Sequence, residues 1–304
     1  MIARLRHLAW SSWRPIAERA ARAYVAGPDL ADALQVCQAL GRNGMATTIC
    51  PWDRDDDSPR RVADSYLAAL ARLGSAGSDC YLSVKAPSLG FSRDLLGELL
   101  AAAGPGRVRL HFDSLGPEVA DRTWALIGEA VARRALVGCT LPARWRRSLR
   151  DVEVALDLGL QVRVVKGQWR DTDAPDSDPR EAFLAVIEQL AGRASRVAVA
   201  THDTALARSA LARLCASGTA CELELLYGLP VRVQLRMARA AGVPVRFYVP
   251  YGQAWLPYSL SQVRRHPRLL WWTMRDWLLG WRGALANGTY LGKRAVTVGP
   301  TGRE

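Results

Sequence analysis

Of the 41 basic residues in this 304-residue chain, only three are lysines: Lys85, Lys166 and Lys293. Where arginine is used almost everywhere, a lysine marks a place that suits a compact point charge on a flexible stem. Two of the three close short apolar runs, CYLSVK (80–85) and QVRVVK (161–166). Similar runs end on or near Asp113, Thr201-His202, Glu224 and Tyr248. Together they make a polar, titratable ring on an otherwise apolar scaffold, of the kind that could carry acid–base or charge-stabilising chemistry. Each member alone has a plainer reading: a strand-end Asp is usually a helix cap, and a lone His a satisfied core or loop residue. Seven such residues at six run ends are harder to dismiss.

The elements that must position them recur regularly. Eight apolar, β-branched runs read as buried parallel strands: 45–50, 80–85, 107–113, 135–141, 161–166, 196–201, 221–226 and 245–249. Amphipathic helical patterns fill the gaps at 60–74, 117–134, 148–159, 179–193, 203–218 and 230–242, several ending in Gly. Strand starts lie roughly 25 to 35 residues apart, as in successive βα units. Eight strands, with no GxGxxG after the first, point to α/β architecture closed as a single (β/α)8 barrel rather than an open dinucleotide-binding sheet. Function in such barrels sits at the C-terminal strand ends.

Those strand ends carry a resemblance. VRVVKGQW (162–169), VATHD (199–203), CELELLYGLP (221–230), RFYVPYGQAWLPY (246–258), SVKAPSLG (83–90) and RRSLRD (146–151) resemble signature segments of the proline dehydrogenases, in the same order and spacing across roughly residues 20 to 270. ARAYVAG (21–27) is similar to that family's lead-in helix. The resemblance implies FAD bound across the top of the barrel and oxidation of proline to a cyclic imine. It implies Arg163 near the reactive part of the flavin, with Val165, Lys166, Gly167 and Trp169 along the cofactor and Thr201 and His202 at its pyrophosphate or adenosine half. Lys85, Asp113, Tyr248 and Tyr258 would line the substrate side as catalytic groups. The strand periodicity leaves alternatives open. An Arg inside an apolar strand needs a ligand or a buried ion pair, for instance with Asp113 or Glu224, and Thr201 or Asp203 could simply cap the following helix.

Departures from the family cluster where the substrate would sit. The arginine pair with which the family clamps the substrate carboxylate aligns with Ser261 and Gln262, and Arg265 stands where the family has Glu. Pro142, Gln168-Trp169 and Glu224 replace family residues on strands four, five and seven. Ser and Gln are poor receptors for a carboxylate compared with a bidentate Arg. Arg264 and Arg265, one helical turn on, could reach back toward the same place. The expected substrate site is therefore Ser261, Gln262, Arg265 and Glu224, acting on proline or a related cyclic amine. A quinone or other acceptor would take the electrons. The alternative is a barrel that binds flavin or an amine without turnover.

Composition narrows the rest. Six scattered cysteines without CxxC spacing argue against a zinc site or disulfide framework and fit a reducing cytoplasm. The net charge of +12 is spread along the chain without a nucleic-acid-binding motif, so no nucleic-acid partner is expected. The acidic runs at 52–61 and 171–181 read as solvated loops. LLWWTMRDWLLGWRGA (269–284) reads as a helix packed on the barrel or as an interfacial membrane contact. The expected division is a helical lead-in over 1–30, the barrel over 31–270, and a C-terminal helix and tail over 271–304.

Overall fold

A computed structural model describes residues 25–54, 56–73, 79–169, 171 and 178–252. Eight parallel strands close into a barrel: β1 (Ala46–Pro51), β2 (Cys80–Val84), β3 (Leu110–Phe112), β4 (Val137–Pro142), β5 (Gln161–Val165), β6 (Val197–Ala200), β7 (Cys221–Leu226) and β8 (Val245–Tyr251). Each strand pairs with the next, and β8 returns to β1, with Ala46 opposite Arg246 and Tyr251 opposite Pro51. The helices between them are α2 (Pro59–Leu73), α3 (Arg93–Ala103), α4 (Ala120–Ala132), α5 (Ser148–Asp157), α6 (Pro179–Leu190), α7 (Thr204–Ala216) and α8 (Arg232–Ala240), and α1 (Leu30–Arg42) precedes β1.

Strand alternation separates two environments. One set of residues, including Ile49, Leu82, Phe112, Val162, Val164, Leu223, Phe247 and Val249, joins the hydrophobic core with the helices. The other set faces into the barrel and is unusually polar. Arg246 is fully buried there, donating to Glu222 (2.7 Å), to the Thr47 carbonyl (2.7 Å) and to Asp79 (2.9 Å), and lying 3.6 Å over the Tyr81 ring. The lower barrel is thus filled by an ion-paired cluster, and burial of such charges is tolerated because each donor meets an acceptor.

The expected elements shift where a helix end competes for the backbone. Residues 107–109 do not join β3, because the Val108 N–H donates to the Ala103 carbonyl and closes α3. Residues 134–135 do the same for α4, where Arg134 adopts φ 56° and the Ala135 N–H donates to Ala130. The helix expected over 117–134 opens as a 3-10 turn at Pro117–Val119. Two helices that the sequence reading did not single out, α1 and α3, are capped by an Asp29–Asp32 capping box and by Ser92 Oγ accepting from the Leu95 N–H. The lead-in at 1–24 and the tail beyond 252 lie outside the described residues. No helix among the described residues is long and apolar enough to cross a membrane.

Candidate active site

At the C-terminal mouth of the barrel, the ends of β1 to β8 surround a cavity of about 1160 Å³. Its wall includes Lys85, Asp113, Arg163, Val165, Gly167, Trp169, Thr201, His202, Glu224 and Tyr248, brought together from six strands. Lys166 alternates away from Arg163 and Val165 and pairs with Asp203 at 3.1 Å. Tyr258, Ser261, Gln262, Arg264, Arg265 and the tryptophan-rich segment lie outside the described residues.

The floor is organised around Arg163, which is 3% exposed. Its Nε and Nη2 donate to the two oxygens of Glu224 at 2.8 and 2.7 Å, and Nη1 donates to Asp113 Oδ1 at 2.7 Å. Both partners left open by the strand periodicity are therefore used. Burial opposes the guanidinium charge, but Glu224 and Asp113 more than offset it and hold Arg163 above its ordinary value. Tyr248 donates from Oη to Asp113 Oδ2 at 2.7 Å, and its ring lies 5.0 Å from the Arg163 guanidinium. Burial first, and the Asp113 charge second, push the Tyr248 phenol up, so it stays a proton donor.

Lys85 anchors a second string. It donates to Asp53 Oδ1 (2.5 Å) and to the Pro51 carbonyl (3.2 Å), and Ser88 Oγ donates to the other Asp53 oxygen. Burial works against its charge, but Cys50, which ionises only in the alkaline range where Lys85 itself would lose its proton, and the carboxylates Asp53 and Asp113 outweigh it and leave Lys85 above its usual value. Asp53 belongs to the run 52–61, whose charges suggest a solvated loop, but its carboxylate lines the cavity and holds Lys85. Although Asp53 sits only two residues beyond β1, four further charges in residues 54–57 masked it. Cys50 lies fully buried between the two strings, with its thiol pushed up to about 11 by burial. It is no thiolate at neutral pH.

Cation and carboxylate are matched all round this wall. Arg163 meets Glu224 and Asp113, Lys85 meets Asp53, and Arg54 meets Asp56 at 3.2 Å. Among the described residues lining the cavity, no cation is left without a carboxylate to receive an added anion. The rim after β5 is shaped by Gly167 at φ 93°, where a Cβ would come within 2.9 Å of Arg144 and 3.0 Å of Pro142.

The β6 end serves the fold as well. Asp203 Oδ1 caps α7 by accepting from the Leu206 N–H (3.1 Å), and Thr201 Oγ1 accepts from the Asp203 N–H (3.2 Å). His202 is a strut, with Nε2 accepting from the Leu226 N–H at 2.9 Å and its backbone carbonyl accepting from Gln234. Burial pulls its ring down to about 4, against a raising hydrogen bond to the Pro230 backbone. The unfolded chain therefore takes up a proton near pH 6.5 that the folded chain refuses until about 4. This contribution to stability is complete above pH 6.5 and is lost as pH falls toward 4, by about 3 kcal/mol. His111, whose ring is held well below its usual value mainly by burial, acts in the same direction. Urea unfolding at pH 7 and pH 4.5 is expected to show this loss. The loss should shrink by about 2–3 kcal/mol in His202→Gln, which keeps an acceptor for Leu226, with the share of His111 remaining; an unchanged pH slope in that variant would remove His202 from the account.

No family model matches the chain. Among curated proteins, it is 29% identical over 271 residues to a proline dehydrogenase of Deinococcus radiodurans, covering 82% of this chain and 86% of that one. It is 26% identical over 265 residues to proline dehydrogenase 1 of Bacillus subtilis subsp. natto, covering 81% and 87%. Two solved structures of proline utilization A share the fold. That from Bdellovibrio bacteriovorus has TM-score 0.73 at 16% identity, and that from Corynebacterium freiburgense has TM-score 0.64 at 18%. The matches cover 85% and 86% of this chain, which spans about a third of each of those, 34% and 32%.

Proposed function

We propose that this chain, a member of the proline dehydrogenase family, is an FAD-dependent oxidoreductase that oxidises the C–N bond of a cyclic secondary amine of the proline type. The observation that carries the reading is the convergence of Lys85, Asp113, Arg163, Glu224 and Tyr248 on one cavity at the C-terminal mouth of a closed barrel. The named relatives support proline oxidation in general.

The residues present fit a flavin. A cavity of about 1160 Å³ is roomier than roughly 300–1,000 Å³, the usual range for small-molecule sites, and leaves space for a cofactor and a small substrate. Val165 and Ala200, at the ends of neighbouring strands, give part of its wall an apolar surface beside the Arg163 guanidinium. Arg163, Val165, Gly167, Trp169, Thr201 and His202 would hold the cofactor, and Lys166 would approach it from the rim. FAD held there, with Thr201 and the His202 strut among the residues holding it, would supply hydride acceptance from the carbon beside the amine nitrogen.

The chain's own residues divide the remaining work. Asp113, fixed by Arg163 and by the Tyr248 hydroxyl, holds the ammonium of the substrate and takes its proton before the carbon–nitrogen bond is oxidised. Tyr248 and Lys85 enclose the ring, as would Tyr258. Glu224 neutralises Arg163 and keeps its fork oriented. Because the described cations of the cavity are already matched by carboxylates, the site favours a substrate that is neutral where free proline carries its carboxylate: an amide, ester or carrier-bound derivative. Ser261 and Gln262 would meet that group by neutral hydrogen bonds, with Arg265 beside them. A quinone or another acceptor then takes the electrons, in the cytoplasm or at a membrane surface.

Titration of the purified full chain with FAD tests the cofactor reading. One flavin per chain, with quenching of tryptophan fluorescence, is the expected result. A chain that remains colourless and unquenched at saturating FAD would overturn it.

A further inference from the structure

The six cysteines all lie within the described residues, and Cys215 alone among them is exposed. Its Sγ stands 3.7 Å from Cys221 Sγ, across the turn that leads from α7 into β7. Two thiols in van der Waals contact need little more than side-chain rotation to bond, since a disulfide holds its sulfurs about 2.05 Å apart.

The turn between them keeps them there. Gly218 takes φ 72°, which reverses the chain without the strain a side chain would bring. The Gly218 N–H donates to the Cys215 carbonyl at 3.1 Å, and the Thr219 N–H to the Leu214 carbonyl at 2.9 Å. Thr219 Oγ1 accepts from the Gly192 N–H at 2.6 Å, and the Ala220 carbonyl accepts from the Val197 N–H of β6 at 2.9 Å. Closing a bond between the two sulfurs therefore has no loop to order. Their surroundings differ. Burial first, and the Cys215 thiol second, push the Cys221 thiol up, with the Glu222 charge acting the same way and Arg196 opposing it. Exposed Cys215 is the sulfur that a reagent in solution reaches, and Cys221 can respond only from within.

We propose that Cys215 and Cys221 form a thiol–disulfide exchange site, which closes to a reversible disulfide on meeting a small disulfide of the glutathione type. The Cys215 thiol gives its proton to solvent, and the thiolate attacks one sulfur of the small disulfide. That S–S bond breaks, and the departing thiolate takes a proton from solvent. Cys221 then loses its proton to solvent and attacks Cys215 Sγ. The mixed disulfide breaks, and the second small thiolate leaves and is protonated. Two protein thiols are oxidised by two electrons, and one small disulfide is reduced to two thiols. The new bond ties the first residue of β7 to α7, next to Glu222, whose carboxylate holds the buried Arg246. It lies at the strand-start end of the barrel, opposite the cavity, and the proposal stands whatever the enzyme oxidises.

The test is incubation of the native full chain with glutathione disulfide, followed by intact mass and peptide mapping. One glutathione adduct is expected on Cys215, then its loss as a crosslink forms between Cys215 and Cys221, reversed by dithiothreitol. In about 1 mM reduced glutathione the crosslinked form should exceed the adduct by at least about tenfold, because a thiol held in contact acts at an effective concentration well above millimolar. Cys221→Ser should stop at the adduct and Cys215→Ser should take up no glutathione, with thermal midpoints confirming that both are folded. The other neighbouring thiols, Cys37 and Cys80, are both buried and should stay reduced. A lasting adduct on Cys215 without a crosslink in the unmodified chain, a crosslink between other cysteines, or thiols that react only after unfolding in urea would each overturn the proposal. Should either serine variant not fold, mapping of the unmodified chain still decides it.

Discussion

Arg163→Met is expected to destabilise the protein by about 3–5 kcal/mol and to abolish flavin binding. The substitution removes the cation that bridges Glu224 and Asp113, leaving Glu224 at 3% exposure with no other charge partner among the described residues. Breaking a buried pair from one side costs about that much, because the remaining charge is neither hydrated nor compensated. In a barrel of this size the thermal midpoint should fall by roughly 10 °C. The double variant Arg163→Met/Glu224→Leu should recover a large part of the loss, since the orphaned carboxylate goes and Asp113 keeps its hydrogen bond from Tyr248. Urea unfolding of the two variants gives the coupling directly. An Arg163→Met protein within about 1 kcal/mol of the unmodified chain would show that the triad is not what holds this end of the barrel.

Free L-proline is expected to be a poor substrate, by at least about a hundredfold in kcat/KM against a relative that carries the arginine pair. A charge-assisted hydrogen bond to a carboxylate contributes about 1.5–3 kcal/mol, and a bidentate clamp makes several. Ser261 and Gln262 offer only neutral bonds, and the cations lining the described cavity are already matched: Arg163 to two carboxylates, Lys85 to Asp53 and Arg54 to Asp56. Loss of the clamp also loosens the position of the reacting carbon, and misplacement alone can cost about a hundredfold. Steady-state assays with L-proline and its amide, repeated on Ser261→Arg/Gln262→Arg, separate the cases. The double arginine variant should gain on L-proline and lose on the amide. Efficient proline oxidation by the unmodified chain, lost in Arg264→Ala or Arg265→Ala, would mean that the arginines one turn on do the clamping.

The barrel was legible in sequence because its strands are short apolar runs at even spacing, and their polar C-terminal residues stand out against that background. Lys85, Asp113, Glu224 and Tyr248 stand out that way, Arg163 through the resemblance of its strand, and all line the cavity. Their partners were harder to read. Arg163 reaches Asp113 and Glu224 across separations of 50 and 61 residues, and the strand pattern alone could not choose between them. Asp53 was hidden for a different reason: in WDRDDDSPRR it stands among several other charges, and only the direction of the chain after β1 turns it toward Lys85. His202 lines the cavity, and its ring and carbonyl also join β6 to β7 and α8, a structural role that the strand pattern does not reveal. Helices α1 and α3 passed unmarked, since their caps, Asp29–Asp32 and Ser92, are short-range signals that outweigh the interior glycine of RDLLGELLAAA.

Anaerobic mixing of the FAD-loaded full chain with cyclic secondary amines tests the central claim most directly. Prolinamide or a proline ester should bleach the flavin absorbance near 450 nm to the two-electron reduced spectrum within one turnover, and free L-proline should do so at least about a hundredfold more slowly. Air or a soluble quinone should then restore the colour. Flavin that binds tightly but is bleached by no cyclic amine, while dithionite still reduces it, would contradict the account and leave a barrel that binds its cofactor without turnover.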